Sequence, residues 1–337
     1  MSAAPLRFAL IGTGRIGRVH AANIAANDAT ELAVVADPMI ASANEVSARF
    51  GGTAVSDPLA AVDPERVDAV VVASPTPTHI DLITACIERG IPVLSEKPID
   101  LDMSRIDELR PQVRLAASPV AIGFNQRFDP AIAEVQRRVA AGEIGEIEQL
   151  AITSRDPGPP PAAYIAVSGG IFRDMTIHDF DLARFFVGDL DEVTAVGSSL
   201  FDAGAREHDD FDTVVVTLKA RTGAIVTITN SRHSTYGYDQ RIEAFGGGGL
   251  LNVENVPASL VAASNATHAA ARGPYVEQFL ERYARAYANE LDAFVEWVRN
   301  GASPSPTFED GRAAQVIAEA AHRSARAGRT VRTDEFN

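Results

Sequence analysis

This chain of 337 residues has a single cysteine, one tryptophan, few aromatic residues and no long stretch of basic or apolar residues. With Cys86 alone, no intrachain disulfide can form, so burial has to hold the fold. A formal charge of -15 with no long Lys/Arg run argues against nucleic acid or an anionic membrane as the main partner, because both reward concentrated positive charge. A small molecule is the expected partner. No apolar run has transmembrane length, and the start "MSAAPLRFALIG" has no charged leader followed by a secretory apolar segment, so a cytoplasmic location is expected. His20, His208, His233, His268 and His322 show no metal-ligand spacing, and no metal is expected. Internal repeats are absent, and "DPGPPP" is a local proline-rich loop.

With nearly half its residues apolar, the chain can bury an ample core, and its length suggests two domains. The first third alternates short apolar runs, "LRFALIG", "ELAVVAD", "DAVVVAS", "PVLSEKP" and "PVAIGFN", with segments of helical spacing such as "GRIGRVHAANIAAN" and "THIDLITACIERG". That alternation predicts an α/β domain with a doubly wound parallel sheet over residues 1–125. From about Phe128 the rhythm changes. The runs "EIEQLAITSR", "FDTVVVTLKA", "GAIVTITNSRH" and "QRIEAFG" alternate around turns and predict a mostly antiparallel open sheet in a second, α+β domain over 126–337. Helices near "YVEQFLERYARAYANELDAFVEWVRNG" and "FEDGRAAQVIAEAAHRSARAG" close the chain.

Three stretches carry chemistry. "GTGRIG", with Gly12, Gly14 and Gly17, follows a predicted strand and opens a predicted helix, where glycines let the backbone approach a pyrophosphate at the helix N-terminus. Asp37 ends the second predicted strand, where a carboxylate can accept hydrogen bonds from the adenosine ribose. It is followed by Pro38 and Met39 rather than by an arginine able to hold a 2′-phosphate, which favours NAD over NADP. "SEKP", Ser95 to Pro98, ends the fifth predicted strand. Ligands of open α/β sheets bind beyond the carboxyl ends of strands, so Lys97 is aimed toward the nicotinamide end of the crevice, with Pro98 placed to fix the turn.

The third stretch is "GGIFRDMTIHDFDLARFF", residues 169 to 186. On one helix Asp174 and His178, four apart, share a face, and Asp181 lies a further turn along. Phe172, Met175, Ile177, Phe180, Leu182, Phe185 and Phe186 make the surroundings apolar, so this helix is expected to be largely buried, and buried acids need partners. Oxidation of a secondary alcohol needs a group to take the hydroxyl proton near neutral pH, which suits an imidazole, and a positive charge to stabilise the developing alkoxide. His178 is the expected base and Lys97 the expected charge. Asp174 would hold substrate hydroxyls or orient the relay. Asp181 is either a third member of the site or a structural cap or ion-pair partner.

These motifs, together with "GFNQRFDP", "SRDPGPPP" and "NSRHSTYGYDQR" in order and spacing, resemble the glucose-fructose oxidoreductase, inositol dehydrogenase and MocA family, and within it the inositol 2-dehydrogenase branch, over nearly the whole chain. The resemblance implies a Rossmann domain for NAD, an α+β domain supplying the substrate pocket, and commonly a homotetramer. It implies cofactor binding by Gly12, Gly14, Arg15, Ile16, Gly17, Asp37, Ser74, Thr76, His79, Glu96 and Lys97. Catalysis by Lys97, Asp174 and His178 is implied too, with Asn125, Arg127, Asp156 and Tyr238 joining them at the substrate. The reaction implied is NAD-dependent oxidation of myo-inositol to scyllo-inosose. Alternatives are a sibling acting on scyllo-inositol, another cyclitol or a pyranose, and, from a different class, a dinucleotide-sensing regulator without turnover. Val256 to Gly273 departs from the family pattern and is expected to reshape a loop.

Overall fold

A computed structural model describes residues 4–301 and 306–336; the first three residues, part of the start read above for a leader, lie outside it. The chain divides into two compact units, one of 1–125 with 287–313, the other of 126–286 with 314–337.

In the first unit the elements run β1 (Leu6–Ile11), α1 (Arg15–Ala26), β2 (Thr30–Ala36), α2 (Ile40–Phe50), β3 (Thr53–Val55), β4 (Ala69–Val72), α3 (His79–Glu88), β5 (Val93–Glu96), α4 (Met103–Leu115) and β6 (Val120–Gly123). The strands form one sheet in the order β3-β2-β1-β4-β5-β6, every pair parallel. This is the doubly wound dinucleotide-binding order, whose switch point lies between β1 and β4. The central strands are apolar on both faces, as "AVVV" of β4 is buried throughout, because helices cover both sides of a parallel sheet. Short β3, which has no strong apolar run, is an edge strand that the sequence pattern did not announce. The Lys97–Pro98 peptide is cis.

A continuous boundary at residue 125 leaves out one part of this unit. Leu291, Phe294 and Val295 are buried in the same core cluster as Phe8, Leu10, Ile24 and Leu32, so 287–313 clusters with the first unit rather than the second. The apolar stripe that holds this segment is sequence-distant from the strands it covers.

The second unit runs α5 (Pro130–Ala140), β7 (Ile147–Arg155), α6 (Ala162–Ser168), α7 (Ile171–Asp174), α8 (Thr176–Val187), β8 (Leu190–Ser198), α9 (Ala203–Glu207), β9 (Thr213–Ala220), β10 (Ile225–Ser231), β11 (Asp239–Gly246) and β12 (Gly249–Val253). There follow a small hairpin, β13 (Ala262–Ala263) with β14 (Ala271–Arg272), then α10 (Phe279–Arg282), α11 (Ala284–Asn300), α12 (Phe308–Ala327) and β15 (Val331–Arg332). Seven strands pair in the order β12-β11-β7-β10-β9-β8-β15; only β7 and β10 are parallel, and the rest are antiparallel. One face is buried and one is not. In β9, Val214, Val216 and Leu218 are buried while Val215, Thr217 and Lys219 face outward, the period-two pattern of a sheet packed on one side. Phe180, Leu182 and Phe186 of α8, Ile132 of α5 and Ile317 of α12 fill the core against the inner face. The outer face leaves Val196, Val215, Ile225, Phe245 and Leu250 exposed.

Two helical expectations are corrected. The single helix read across 169–186 is two, α7 and α8, broken at Met175, so Asp174 ends one helix and His178 lies in the first turn of the next. The closing helix begins only at Phe279 and is interrupted at Tyr283, which is buried.

Candidate functional site

The dinucleotide end of the first unit is built from the β1–α1 turn. Gly12 has φ +96°, and a Cβ there would lie 2.5 Å from the carbonyl oxygen of Ala73, so only glycine lets β1 and β4 approach at the switch point. A Cβ on Gly17 would lie 2.0 Å from the carbonyl oxygen of Gly12, whereas one on Gly14 would meet no atom within 4 Å. The first and third glycines therefore close the turn, and the middle one leaves open space in front of the helix. Arg15 and Ile16 are the first two residues of α1.

Asp37 follows β2 and faces this turn. Its Oδ2 accepts from the Thr13 backbone N–H at 2.9 Å and the Thr13 hydroxyl at 2.7 Å, and its Oδ1 from the Met39 N–H at 2.9 Å. Burial pushes its pKa upward, but the hydrogen bonds from Thr13 and Met39 outweigh this and hold it below the ordinary carboxylate value. An ionised carboxylate fixed beside a glycine turn fits the adenosine ribose of NAD and opposes a 2′-phosphate. Thr13 was not singled out from the sequence; its place inside the glycine motif was the available signal.

At the end of β4, the Ser74 hydroxyl pairs with that of Thr78 at 2.6 Å, and Thr76 opens a 3₁₀ turn. His79 is buried, with Nε2 2.8 Å from the Ser74 carbonyl oxygen and Nδ1 2.8 Å from that of Pro98. Its ring ties the loop after β4 to the turn after β5. Glu96 bonds His20 Nε2 of α1 at 2.9 Å. Beside it Glu290 is buried, and its carboxyl is pushed well above the ordinary value by burial first and by the charge of Glu96 second. Lys97 directly follows β5 and is half-buried; Lys97 and Lys219 are the only lysines in the chain. A compact ammonium in a protein that otherwise uses arginine suits a point charge better than a bidentate one. Asn125 is buried, and its Nδ2 has no hydrogen-bond partner among the described residues.

In the second unit Asp174 ends α7. Its Oδ1 accepts from the Tyr164 hydroxyl at 2.9 Å, and its Oδ2 is 3.8 Å from the guanidinium of Arg232. Arg232 is almost fully buried and also reaches Asp210 at 3.4 Å. The sequence did not single out Tyr164 or Arg232 individually, although Arg232 lies in "NSRHSTYGYDQR". His178 is partly exposed in the first turn of α8. Asp181 is buried and takes the ion-pair reading: Arg127 donates to it through Nε at 2.7 Å and Nη2 at 2.6 Å, and the guanidinium also stacks 5.0 Å from the Phe185 ring. Arg127 is thus bidentate to a neighbouring helix. Asp156 follows β7, its N–H donating to the Ser231 carbonyl at 3.0 Å. Tyr238 is buried edge-on to Tyr283 with ring centres 6.0 Å apart, and burial raises its phenol well above the ordinary value, leaving a neutral hydroxyl. No cluster of metal-ligating side chains occurs among the described residues, and no helix among them is long and apolar enough to cross a membrane.

Comparison with known proteins agrees with this architecture. Residues 6–124 match the oxidoreductase family with an NAD-binding Rossmann fold, and residues 132–252 match the GFO/IDH/MocA C-terminal domain. The chain is 43% identical to an inositol 2-dehydrogenase of Rhizobium meliloti (strain 1021), covering 95% of this chain and 96% of that one. It is 34% identical to a scyllo-inositol 2-dehydrogenase (NAD(+)) of Bacillus subtilis (strain 168), covering 98% and 96%. A crystal structure of a myo-inositol dehydrogenase from Corynebacterium glutamicum superimposes with a TM-score of 0.94 at 50% identity, covering 97% of this chain and 98% of that one. The chain therefore belongs to the GFO/IDH/MocA family of NAD-dependent oxidoreductases.

Proposed function

We propose that the protein oxidises myo-inositol to scyllo-inosose (2-keto-myo-inositol), with NAD as acceptor. The observation that carries this reading is the 43% identity, over nearly the full length of both chains, to a relative named for inositol 2-oxidation. NAD, when bound, accepts the hydride from the carbinol carbon. The chain's own residues do the rest. His178 takes the hydroxyl proton as neutral imidazole, and Lys97 stabilises the oxygen as charge develops on it. Asp174, steadied by Tyr164 and facing Arg232, holds substrate hydroxyls. Asn125, Arg127, Asp156 and Tyr238 complete the substrate contacts. The cofactor is held by Gly12, Gly14, Arg15, Ile16, Gly17, Asp37, Ser74, Thr76, His79, Glu96 and Lys97.

A second reading, oxidation of scyllo-inositol, is favoured by the Bacillus subtilis relative. Initial rates of NAD reduction across myo-inositol, scyllo-inositol, other cyclitols and pyranoses separate the two. A larger kcat/KM for myo-inositol supports the first reading, and a larger value for a pyranose than for either inositol overturns both. We further propose that the protein is cytoplasmic and forms a homotetramer, its self-association supported by the exposed apolar outer face of the seven-stranded sheet.

A further inference from the structure

Lys97 sits between two residues that buried histidines hold. On one side Glu96 ends β5, and its Oε1 lies 2.9 Å from Nε2 of His20 on α1, the helix opened by the glycine turn. On the other the Pro98 carbonyl oxygen lies 2.8 Å from His79 Nδ1, while His79 Nε2 reaches the Ser74 carbonyl oxygen after β4 at 2.8 Å. His20 and His79 are each 1% exposed. The backbone of Lys97 is thus tethered one residue before and one residue after, to α1 and to the loop after β4. Consecutive Cα atoms are about 3.8 Å apart, so tethers this short leave the turn little travel.

The proposed chemistry does not use His20, yet the place of its bond to Glu96 is built. Glu96 is in register with Gly123 of β6, where a Cβ would lie 3.1 Å from the Glu96 Cδ and Oε2 and 3.3 Å from its Cα. Glycine at 123 therefore leaves the room in which the carboxyl lies. Tyr287 of α11 stands edge-on to the His20 ring with centres 5.8 Å apart. Glu290, one turn further along α11, is buried near enough for the Glu96 charge to act on it. Both Glu290 oxygens and His20 Nδ1 lack hydrogen-bond partners among the described residues. Burying an imidazole beside such carboxyls is costly, and an apolar side chain at position 20 would fill the space at less cost. The cost falls where the ring grips the residue before Lys97.

We propose that His20 is a positioning residue for the oxidation: through Glu96 it fixes the end of β5 to α1, and together with His79 on Pro98 it spans the backbone of Lys97, so that the ammonium meets the developing alkoxide at one fixed place. The inference rests on the dehydrogenase reading and, within it, on the role given to Lys97. His20 then acts on turnover only through that ammonium, and removing it should cost nothing once the ammonium is gone.

The test is a double-mutant cycle in kcat for the preferred cyclitol, with wild type, His20→Leu, Lys97→Ala and the pair, NAD being titrated into each variant so that kcat is read at saturation. His20→Leu should lower kcat roughly 10- to 100-fold, the scale of a small misplacement of a reacting group, and should change KM for the cyclitol less. In the Lys97→Ala background the same change should leave the residual turnover within about 2-fold. His20→Gln, whose amide N–H reaches the position of Nε2, should recover most of the rate. Gly123→Ala should reproduce the loss by pushing the Glu96 carboxyl aside while His20 stays, and it replaces His20→Leu in the cycle if that variant does not fold. A wild-type kcat in His20→Leu, losses that multiply in the double variant, or a His20→Gln as slow as His20→Leu would each overturn the proposal. A second readout needs no turnover. Lys97 is half-buried, Lys219 is exposed, and the chain has no other lysine, so acylation by acetic anhydride, followed by peptide mass, compares the two amines within one molecule. Loosening the turn in His20→Leu should raise the rate at Lys97 relative to Lys219, and His20→Gln should bring the ratio back; an unchanged ratio counts against the tether. Lys97→Ala turning over at the wild-type rate would instead sink the role of Lys97 in the functional reading, leaving the acylation ratio to judge His20.

Discussion

The carboxylates of Asp37 and Asp179 each accept three hydrogen bonds yet are shifted in opposite directions, because Asp179 is fully buried and Asp37 is not. Asp37 accepts three hydrogen bonds near the surface and stays ionised, so the stability it adds is present above the ordinary carboxylate range and is lost as pH falls. That fixed charge should make NAD strongly preferred over NADP. Asp37→Ser should narrow the gap by relieving repulsion of order 1–4 kcal/mol at close range, as read from kcat/KM with the two cofactors; equal wild-type efficiency with both would contradict this. His178 should act unprotonated. Oxidation by the wild type should rise with pH, and His178→Asn should lose one proton from the ascending limb. An unaltered limb in that variant would assign the base elsewhere. Lys97→Ala should cut turnover by roughly 10²–10⁴ while NAD affinity, titrated separately, stays within a few-fold.

At the scale of elements, the glycine turn separates folding from binding. The geometry predicts different outcomes for two glycines of one motif. Gly17→Ala places a Cβ 2.0 Å from a backbone oxygen and should lower stability by about 1–3 kcal/mol, as overpacking does. Gly14→Val extends into open space and should fold normally yet bind NAD more weakly. Denaturant melts alongside NAD titrations distinguish the two; equal stability loss would refute the division. This turn was legible from sequence because its chemistry is local: strand, glycines and helix lie within a dozen residues. The break between α7 and α8 was not. Spacing alone joins Asp174 to His178 on one helix, while the structure interrupts it at Met175.

For the whole molecule, the outer sheet face is the quantity to test. Light scattering should report a homotetramer, and Val215→Glu, a charge placed in register with exposed Val196, should shift the population toward smaller species; a wild-type monomer would remove the reason given for that face.

Periodicity and punctuation determined the parallel, doubly wound class of the first sheet, the alternating second sheet, the glycine turn with Asp37, and the position of Lys97 after β5. Each follows from residues close in sequence, where backbone geometry and burial period leave few alternatives. Tertiary structure decided the rest. The return of 287–313 to the first core, the pairing of Arg127 with Asp181 across 54 positions and the row of Ser154, Asn230 and Gln240 under Asp179 join residues from distant strands and helices. A buried polar group takes whichever partner the packed chain brings within hydrogen-bond reach, and that choice is made only once the core has closed.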